Sequence, residues 1–113
     1  MTDTDQYQRR FTGTQTLYSA ARFAKFERLH AYVIGVGGVG SWVAEGLART
    51  GVGSMTLIDL DVLVASNVNR QLPALDSTFG VSKIEAMATR LRQINPRLTL
   101  HLVDDFLTAD NVK

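Results

Sequence analysis

The stretch at residues 31–61 limits the possible folds more than any other part of the sequence. A short apolar run at residues 32–34 meets four closely spaced glycines, a helical pattern follows, and a second apolar run at residues 55–58 ends at Asp59 and Asp61. This order of strand, glycine turn, helix, strand and acid is typical of a nucleotide-binding βαβ unit. The glycines are Gly35, Gly37, Gly38 and Gly40.

Composition excludes several classes of protein. The 113 residues are 45% hydrophobic and 20% charged with a net charge of +1, which favours one ordinary globular domain and gives no argument for a strongly basic or acidic partner. The sequence has no cysteine, so it offers no disulfide, thiolate zinc site or thiol nucleophile. No apolar run approaches the roughly 18 residues of a transmembrane helix, and the first residues lack a signal-peptide core. We therefore expect a cytoplasmic protein with no membrane partner.

The sequence before the glycine turn predicts an arm followed by a helix. Residues 1–7 are polar and are expected to fray. Across residues 16–29 apolar side chains such as Leu17 and Leu29 approximate a helical stripe. We therefore divide the chain into an N-terminal arm and helix (residues 1–30) and a nucleotide-binding part (residues 31–113).

The nucleotide-binding part predicts three strands linked by helices. Gly51 should end the first helix, Ser82 should cap the second, and Asn95-Pro96 should end the second. Thr108 is expected to cap a further helix. The strands are expected at residues 32–36, 54–59 and 98–103, the helices at residues 39–50 and 83–93, and a short helical turn at residues 66–69.

Apolar positions predict which face of each helix packs on the sheet. The helix predicted at residues 83–93 also carries charged residues, which are expected to be largely solvated. The first helix should pack through Val39, Val43 and Leu47, with Trp42 beside them, and the second through Ile84, Met87, Ala88 and Leu91, leaving Lys83, Arg90 and Arg92 in solvent.

These elements predict an α/β fold, the first half (β-α-β-α-β) of a Rossmann-like parallel sheet with strand order 3-2-1 and an N-terminal helix. Strand 1 is apolar throughout, which suits a parallel strand buried on both faces. At an open edge of the sheet this apolar strand would expose unpaired backbone groups that could pair with another chain. We therefore expect the chain to be a fragment of a longer protein, or another chain to cover this edge.

The glycine turn predicts a phosphate site. Glycines allow a ligand to approach the backbone closely, and the amides of the turn and the helix N-terminus attract anions. Asp59 follows about 20 residues later, where a carboxylate can accept hydrogen bonds from ribose hydroxyls. No Gly-Lys-Ser/Thr follows the turn, so it is not a Walker-type phosphate loop. The glycines alone would suit a nicotinamide or flavin enzyme equally well.

A polar cluster after the second strand favours a nucleoside triphosphate over a dinucleotide. An arginine and a lysine that converge there can stabilise the charge that develops on a leaving pyrophosphate. A dehydrogenase has no need of that pair. The cluster contains Ser66, Asn67, Asn69, Arg70 and Gln71, with Lys83 at the start of the next helix.

The sequence resembles the E1-like adenylating family, which includes ubiquitin-activating enzymes and bacterial sulfur-carrier enzymes of the ThiF, MoeB and HesA type. The matching motifs occur in the family's order over most of residues 32–96. They are GVGGVG (residues 35–40), GVG (residues 51–53), LIDLD (residues 57–61), SNVNRQ (residues 66–71), GVSK (residues 80–83) and INP (residues 94–96).

Further motifs are similar to the bacterial branch that uses ATP to dehydrate N6-threonylcarbamoyladenosine in tRNA to a cyclic form. They are RRFTGTQTLY (residues 9–18), GSW (residues 40–42), NVNRQ (residues 67–71) and VDDF (residues 103–106). The resemblance implies ATP, Mg²⁺ and modified tRNA as ligands, and a homodimer. An adenylated carboxylate would form with loss of pyrophosphate.

The resemblance also implies roles for individual residues. ATP would lie on the four glycines, with its ribose on Asp59 and with Asp61 nearby. Arg10 would reach into the ATP site of a partner subunit. The metal-binding aspartate is expected beyond Lys113, so no metal ligand is assigned within the sequence. Asn67, Arg70, Gln71 and Lys83 would contact the nucleotide, and Arg10, Arg70 and Lys83 would be catalytic.

Three alternatives remain open. One is adenylation of the C-terminal glycine of a ubiquitin-like sulfur-carrier protein, as in molybdopterin or thiamine biosynthesis. Another is a NAD-dependent oxidoreductase, against which the polar cluster argues. The third is a non-catalytic interaction module that retains the fold.

Overall fold

The computed structural model describes residues 2–105 as helices that precede and link three parallel strands. The expected helix at Thr108 lies outside these residues. No helix within them is long and apolar enough to cross a bilayer. The elements are α1 (Asp3–Arg10), α2 (Thr12–Tyr18), α3 (Ala20–Phe26), β1 (His30–Ile34), α4 (Gly40–Thr50), β2 (Ser54–Ile58), α5 (Lys83–Ile94) and β3 (Thr99–Val103), with 3-10 turns at Ala65–Asn67 and Asp76–Thr78.

The sheet confirms the expected parallel half-domain. Its strand order is β1-β2-β3, with His30 paired to Ser54 and Ser54 paired to Thr99. The strands begin or end one or two residues from the predicted bounds. The expectation that β1 is buried on both faces is wrong for the described residues, because Tyr32 and Ile34 are 68% and 57% exposed. In the part of the chain that the structure describes, helices cover only the opposite face of β1, which carries Val33.

The face predicted for α4 is wrong except at Leu47, which packs against the core. Val39, Trp42 and Val43 are exposed, and mostly small residues take the other inner positions. Their small volume allows the helix to lie close to the sheet, whereas Val39 and Val43 border the open edge of β1. The buried residues of α4 are Ser41, Ala44, Glu45 and Ala48.

The apolar face predicted for α5 is confirmed, since Ile84, Met87, Ala88 and Leu91 are all buried. Ser82 occupies the N-cap position but makes no capping bond, and its Oγ is buried without a partner among residues 2–105. The solvated positions predicted for Lys83 and Arg90 are wrong. Lys83 is 7% exposed, and Arg90 pairs with the buried Glu45 of α4.

The N-terminal arm differs most from the prediction. The fraying expected over residues 1–7 is wrong for residues 2–7, because Thr2 and Asp5 form a capping box that begins α1. The single predicted helix is broken at Ser19, whose φ of 83° lies in the left-handed region. Tyr7, Phe11 and Phe23 pack as one buried cluster, while Leu17 is exposed. Aromatic rings rather than the aliphatic stripe therefore hold the arm.

Glu45 links the two helices on the covered face of the sheet. Its carboxylate accepts from Arg90 Nε and lies 3.3 Å from Arg49 Nε. The hydrogen bond from Arg90 and the charges of both arginines lower the pKa of Glu45, although burial opposes them. The carboxylate is therefore ionised at neutral pH, and it joins α4 to α5.

We expect Glu45→Gln to lower the free energy of unfolding by about 2 kcal/mol at pH 7, because a charged hydrogen bond is lost. The wild-type advantage should be complete above the ordinary carboxyl pKa of 4.5 and disappear as the pH falls through the lowered value. Urea unfolding at pH 7 and pH 3 would measure it. An equal difference at both pH values would contradict this assignment.

Candidate nucleotide site

The glycine turn is formed by close backbone approach. Gly35 has a φ of 86°, and its N–H donates to Ile58 O at 2.8 Å, which joins the ends of β1 and β2. A Cβ on Gly40 would lie only 1.7 Å from Gly35 O. Only glycine therefore permits the first turn of α4 to pack against the end of β1, and this packing directs the N-terminus of α4 to the carboxyl edge of the sheet.

Asp59 fixes the turn from the end of β2. Its Oδ2 accepts from Val36 N at 2.7 Å, and its Oδ1 accepts from Asp61 N at 2.8 Å. Two carboxylate oxygens offer about four acceptor sites, so ribose hydroxyls can still bind. Asp59 is thus a structural residue of the turn as well as a candidate ribose ligand.

Contacts with Asp61 hold Lys83 at the same carboxyl edge of the sheet. Its backbone N–H donates to Asp61 O at 3.0 Å, and its Nζ lies 3.8 Å from Asp61 Oδ2. The Lys83 side chain is 9% exposed, whereas that of Asp61 is 68% exposed. Burying an ammonium is costly unless it is paired. A phosphate would give this cation a second anionic partner.

Arg70 lies against the glycine turn. Its Cγ and Cδ atoms are 3.3 Å from the position a Cβ on Gly38 would occupy. Its Nη1 donates to Ser66 O at 3.1 Å and to Asn69 Oδ1 at 3.0 Å. The structure therefore brings the predicted arginine to the predicted glycines, with the guanidinium held by its own loop.

Two residues of α4 that the sequence reasoning did not assign to the site hold this loop. Trp42 Nε1 donates to Arg70 O at 2.9 Å, and Ser41 Oγ accepts from Leu72 N at 3.3 Å. Their position directly after Gly40 was the only available signal. Trp42 and Ser41 together fix the backbone on both sides of Gln71.

The other two predicted polar residues are buried in the same loop. Asn67 Oδ1 accepts from Val64 N at 2.9 Å, which stabilises the 3-10 turn. Gln71 is 6% exposed, its Nε2 lies 3.8 Å from the Cβ position of Gly37, and its buried Oε1 has no partner among residues 2–105. Asn67 thus shapes the loop, and Gln71 backs the glycines.

Two cavities flank the turn. A groove of about 500 Å³ runs along β1 and the first turn of α4. A smaller cavity of about 230 Å³ lies between the ends of β1 and β2 and includes Asp59, Asp61 and Asp105 in its lining. These three carboxylates are not close enough together to hold a metal ion, and no other such group occurs between residues 2 and 105. The described residues therefore fit a nucleotide but do not by themselves fit a complete magnesium site.

Arg10 lies away from this site. Its Nη1 donates to the carbonyls of Gln93 and Ile94, at 3.3 and 3.4 Å, where α5 ends. The glycine turn is at the other end of the sheet, where α5 begins. Within one chain Arg10 does not join the other predicted site residues, and its role in a partner subunit stays a prediction.

The fold and the site together define the class of protein. Three parallel strands, a glycine turn at the carboxyl edge and a strand-end acid form half of a Rossmann-like nucleotide-binding domain. Residues 7–113 match the ThiF family. The chain belongs to the ThiF family.

Individual relatives agree with this assignment. The chain is 51% identical over 108 residues to the tRNA threonylcarbamoyladenosine dehydratase of Escherichia coli (strain K12), covering 96% of this chain and 40% of that protein. It is 39% identical over 82 residues to the molybdopterin-synthase adenylyltransferase of Salmonella typhimurium, covering 68% and 33%. The chain thus spans less than half the length of either relative.

A solved structure gives the same result. The E. coli tRNA N6-threonylcarbamoyladenosine dehydratase in complex with ATP superposes with a TM-score of 0.93 at 49% identity, covering 99% of this chain and 46% of that chain. The complex of that enzyme with AMP gives the same values. The Rossmann-like half-domain fold is therefore confirmed by an independent structure.

We expect Gly40→Ala to weaken ATP binding at least tenfold in the full-length protein, because the added methyl would displace the turn. Overpacking of this kind costs roughly 1–3 kcal/mol. Gly46→Ala is a matched control on α4, since a Cβ there meets nothing within 4 Å. Calorimetric titration with ATP would compare the two variants. Equal affinity in both would contradict the assigned packing of the turn.

Proposed function

We propose that the protein carrying this chain activates a carboxylate by adenylation and thereby catalyses the cyclising dehydration of N6-threonylcarbamoyladenosine in tRNA. The observation that carries the proposal is the convergence of Arg70 and Lys83 on one nucleotide-binding edge. Arg70 packs on Gly38, and Lys83 is buried beside Asp61. Relatives named for this reaction, one of them solved with ATP, support the same assignment.

The residues of the chain would act mainly by positioning and charge. The glycine turn would bind phosphate through its amides, and Asp59 would accept hydrogen bonds from the ribose. A threonyl carboxylate oxygen attacks the α-phosphorus as the bond to pyrophosphate breaks. Arg70 and Lys83 would stabilise the charge that develops on pyrophosphate. An internal nucleophile of the modified base then attacks the activated carbonyl, and AMP leaves.

The proposal extends to metal, partner subunit and compartment. Mg²⁺ is expected with ATP, because it commonly binds through phosphates and one or two carboxylates. Arg10 would act in the ATP site of a second subunit, which makes the enzyme a homodimer with shared sites. The compartment that fits a tRNA substrate is the cytoplasm.

Adenylation of a sulfur-carrier protein is the second candidate. The molybdopterin-synthase adenylyltransferase supports it with lower identity and coverage than the dehydratase does. An oxidoreductase is disfavoured because Arg70 and Lys83 would have no role in hydride transfer.

An ATP–pyrophosphate exchange assay separates the candidates. The full-length protein should turn over ATP with tRNA that carries threonylcarbamoyladenosine and with no protein substrate. Exchange with a small protein ending in Gly-Gly, and none with tRNA, would replace the proposal by the second candidate. NADH binding without ATP turnover would indicate an oxidoreductase.

We expect Arg70→Ala and Lys83→Ala each to lower the turnover number by about 10² or more, because each removes stabilisation of the leaving group. Arg92→Ala is the control, since Arg92 is exposed on α5. Single-turnover assays at saturating ATP would measure the effect. Unchanged turnover in the Arg70 and Lys83 variants would support a non-catalytic module instead.

We expect Trp42→Phe to lower turnover about fivefold, because it removes a hydrogen bond of about 1 kcal/mol and leaves an aromatic ring in place. If Trp42 acts by positioning Arg70, the same substitution should have no further effect in an Arg70→Ala background. Fully multiplicative losses in the double variant would show that Trp42 acts independently of Arg70.

A further inference from the structure

Three arginines line a cavity at the end of the sheet opposite the glycine turn. The cavity has a volume of about 540 Å³ and lies where α5 ends. It shares no lining residue with the two cavities at the nucleotide site. Its lining consists of Arg10, Phe11, Arg49, Arg90, Gln93 and Ile94.

Two of these arginines are held in place by one carboxylate. Arg49 and Arg90 both engage Glu45 through Nε, from α4 and α5 respectively. Within residues 2–105 their Nη groups donate no hydrogen bond to the protein. Glu45 therefore orients both guanidinium groups and leaves the terminal nitrogens of each available to a ligand.

The cavity carries excess positive charge. Glu45 is buried behind the arginines and remains ionised, because the hydrogen bond from Arg90 lowers its pKa. It supplies one negative charge against three guanidinium groups. Arg10 adds its charge from α1, anchored by the carbonyls of Gln93 and Ile94. Among residues 2–105 no carboxylate lines the cavity itself, since Glu45 lies behind its arginines.

Guanidinium groups with free terminal nitrogens bind phosphate oxygens in pairs, and arginines that are already oriented lose little freedom in doing so. We propose that this cavity binds a backbone phosphate of the RNA substrate. The inference rests on the proposed function and adds a contact outside the nucleotide site of the same chain.

Geometry favours a polynucleotide over the nucleotide bound at the turn. Arg49 lies nine residues after Gly40 on α4, which at 1.5 Å per residue is about 14 Å along the helix. The cavity shares no lining residue with the two cavities at the nucleotide site, so a nucleotide on the glycine turn of the same chain does not fill it. An RNA chain presents phosphates along its whole length and can occupy both places at once.

The test uses Arg49→Ala in the full-length protein. The Arg49 side chain is 59% exposed, so its loss should leave the fold intact, and thermal unfolding would verify this. Affinity for tRNA is measured over a range of salt concentrations. Loss of one phosphate contact should reduce the slope of log affinity against log salt by about 0.7–0.9. Arg49→Lys should retain most of the slope, because it keeps the charge.

Controls separate this contact from general loss of charge and from the catalytic site. Arg92→Ala removes a positive charge from an exposed position of α5 outside the cavity and should leave the slope unchanged. Affinity for ATP should be the same in wild type and in Arg49→Ala. Arg10 is left unchanged, because a catalytic role in a partner subunit is proposed for it.

Three results would overturn the proposal. The first is an unchanged salt slope in both Arg49→Ala and the charge-reversing Arg49→Glu. The second is Arg49-dependent binding of inorganic pyrophosphate, measured by calorimetry, with no Arg49-dependent binding of tRNA. The third is a changed oligomeric state with an unchanged slope, which would indicate a protein contact. Failure of wild type to turn over ATP with modified tRNA would instead overturn the proposed function.

Discussion

The carboxyl edge of the sheet, where the candidate nucleotide site lies, depends on the two hydrogen bonds that the Asp59 carboxylate accepts. One oxygen accepts from Val36 after β1, and the other accepts from Asp61 on the way to Lys83. Hydrogen bonds from amides to a carboxylate are stronger than neutral ones. A single side chain thus fixes both the glycine turn and the loop that delivers the buried lysine, and a ribose would bind to a group already rigidly placed.

Much of the candidate nucleotide site could be predicted, because the sequence patterns that indicate it involve residues close together in the chain. Three patterns each constrain only a few neighbouring residues. They are glycines where two backbone segments cross, an acid at the end of a strand, and a helix with one apolar stripe. Gly40, Asp59 and the buried face of α5 are of this kind. The parallel strand order followed from the alternation of strands and helices.

The rest depended on contacts between distant parts of the chain. The inner face of α4 was missed because its bulky residues border the open edge, while Ser41, Ala44 and Glu45 face inward. Burial of Lys83 depends on Asp61, and that of Glu45 on Arg90 in another helix. The arm was predicted wrongly because Tyr7 and Phe11 pack on Phe23 only when the helix is interrupted twice, between α1 and α2 and between α2 and α3. Periodicity within one segment carries no information on such pairs.

The position of β1 has a consequence for local stability. Among the described residues β1 is hydrogen-bonded to β2 on one side only, whereas β2 is paired on both sides. Opening of a sheet generally begins at its least supported strand. Amide hydrogens of β1 should therefore exchange with solvent before those of β2, and the glycine turn is attached to both strands. The phosphate-binding backbone is thus anchored through Asp59 to the doubly paired β2 and through Ile34 to the singly paired β1, so a second partner on the open side of β1 would also reduce how often the turn opens.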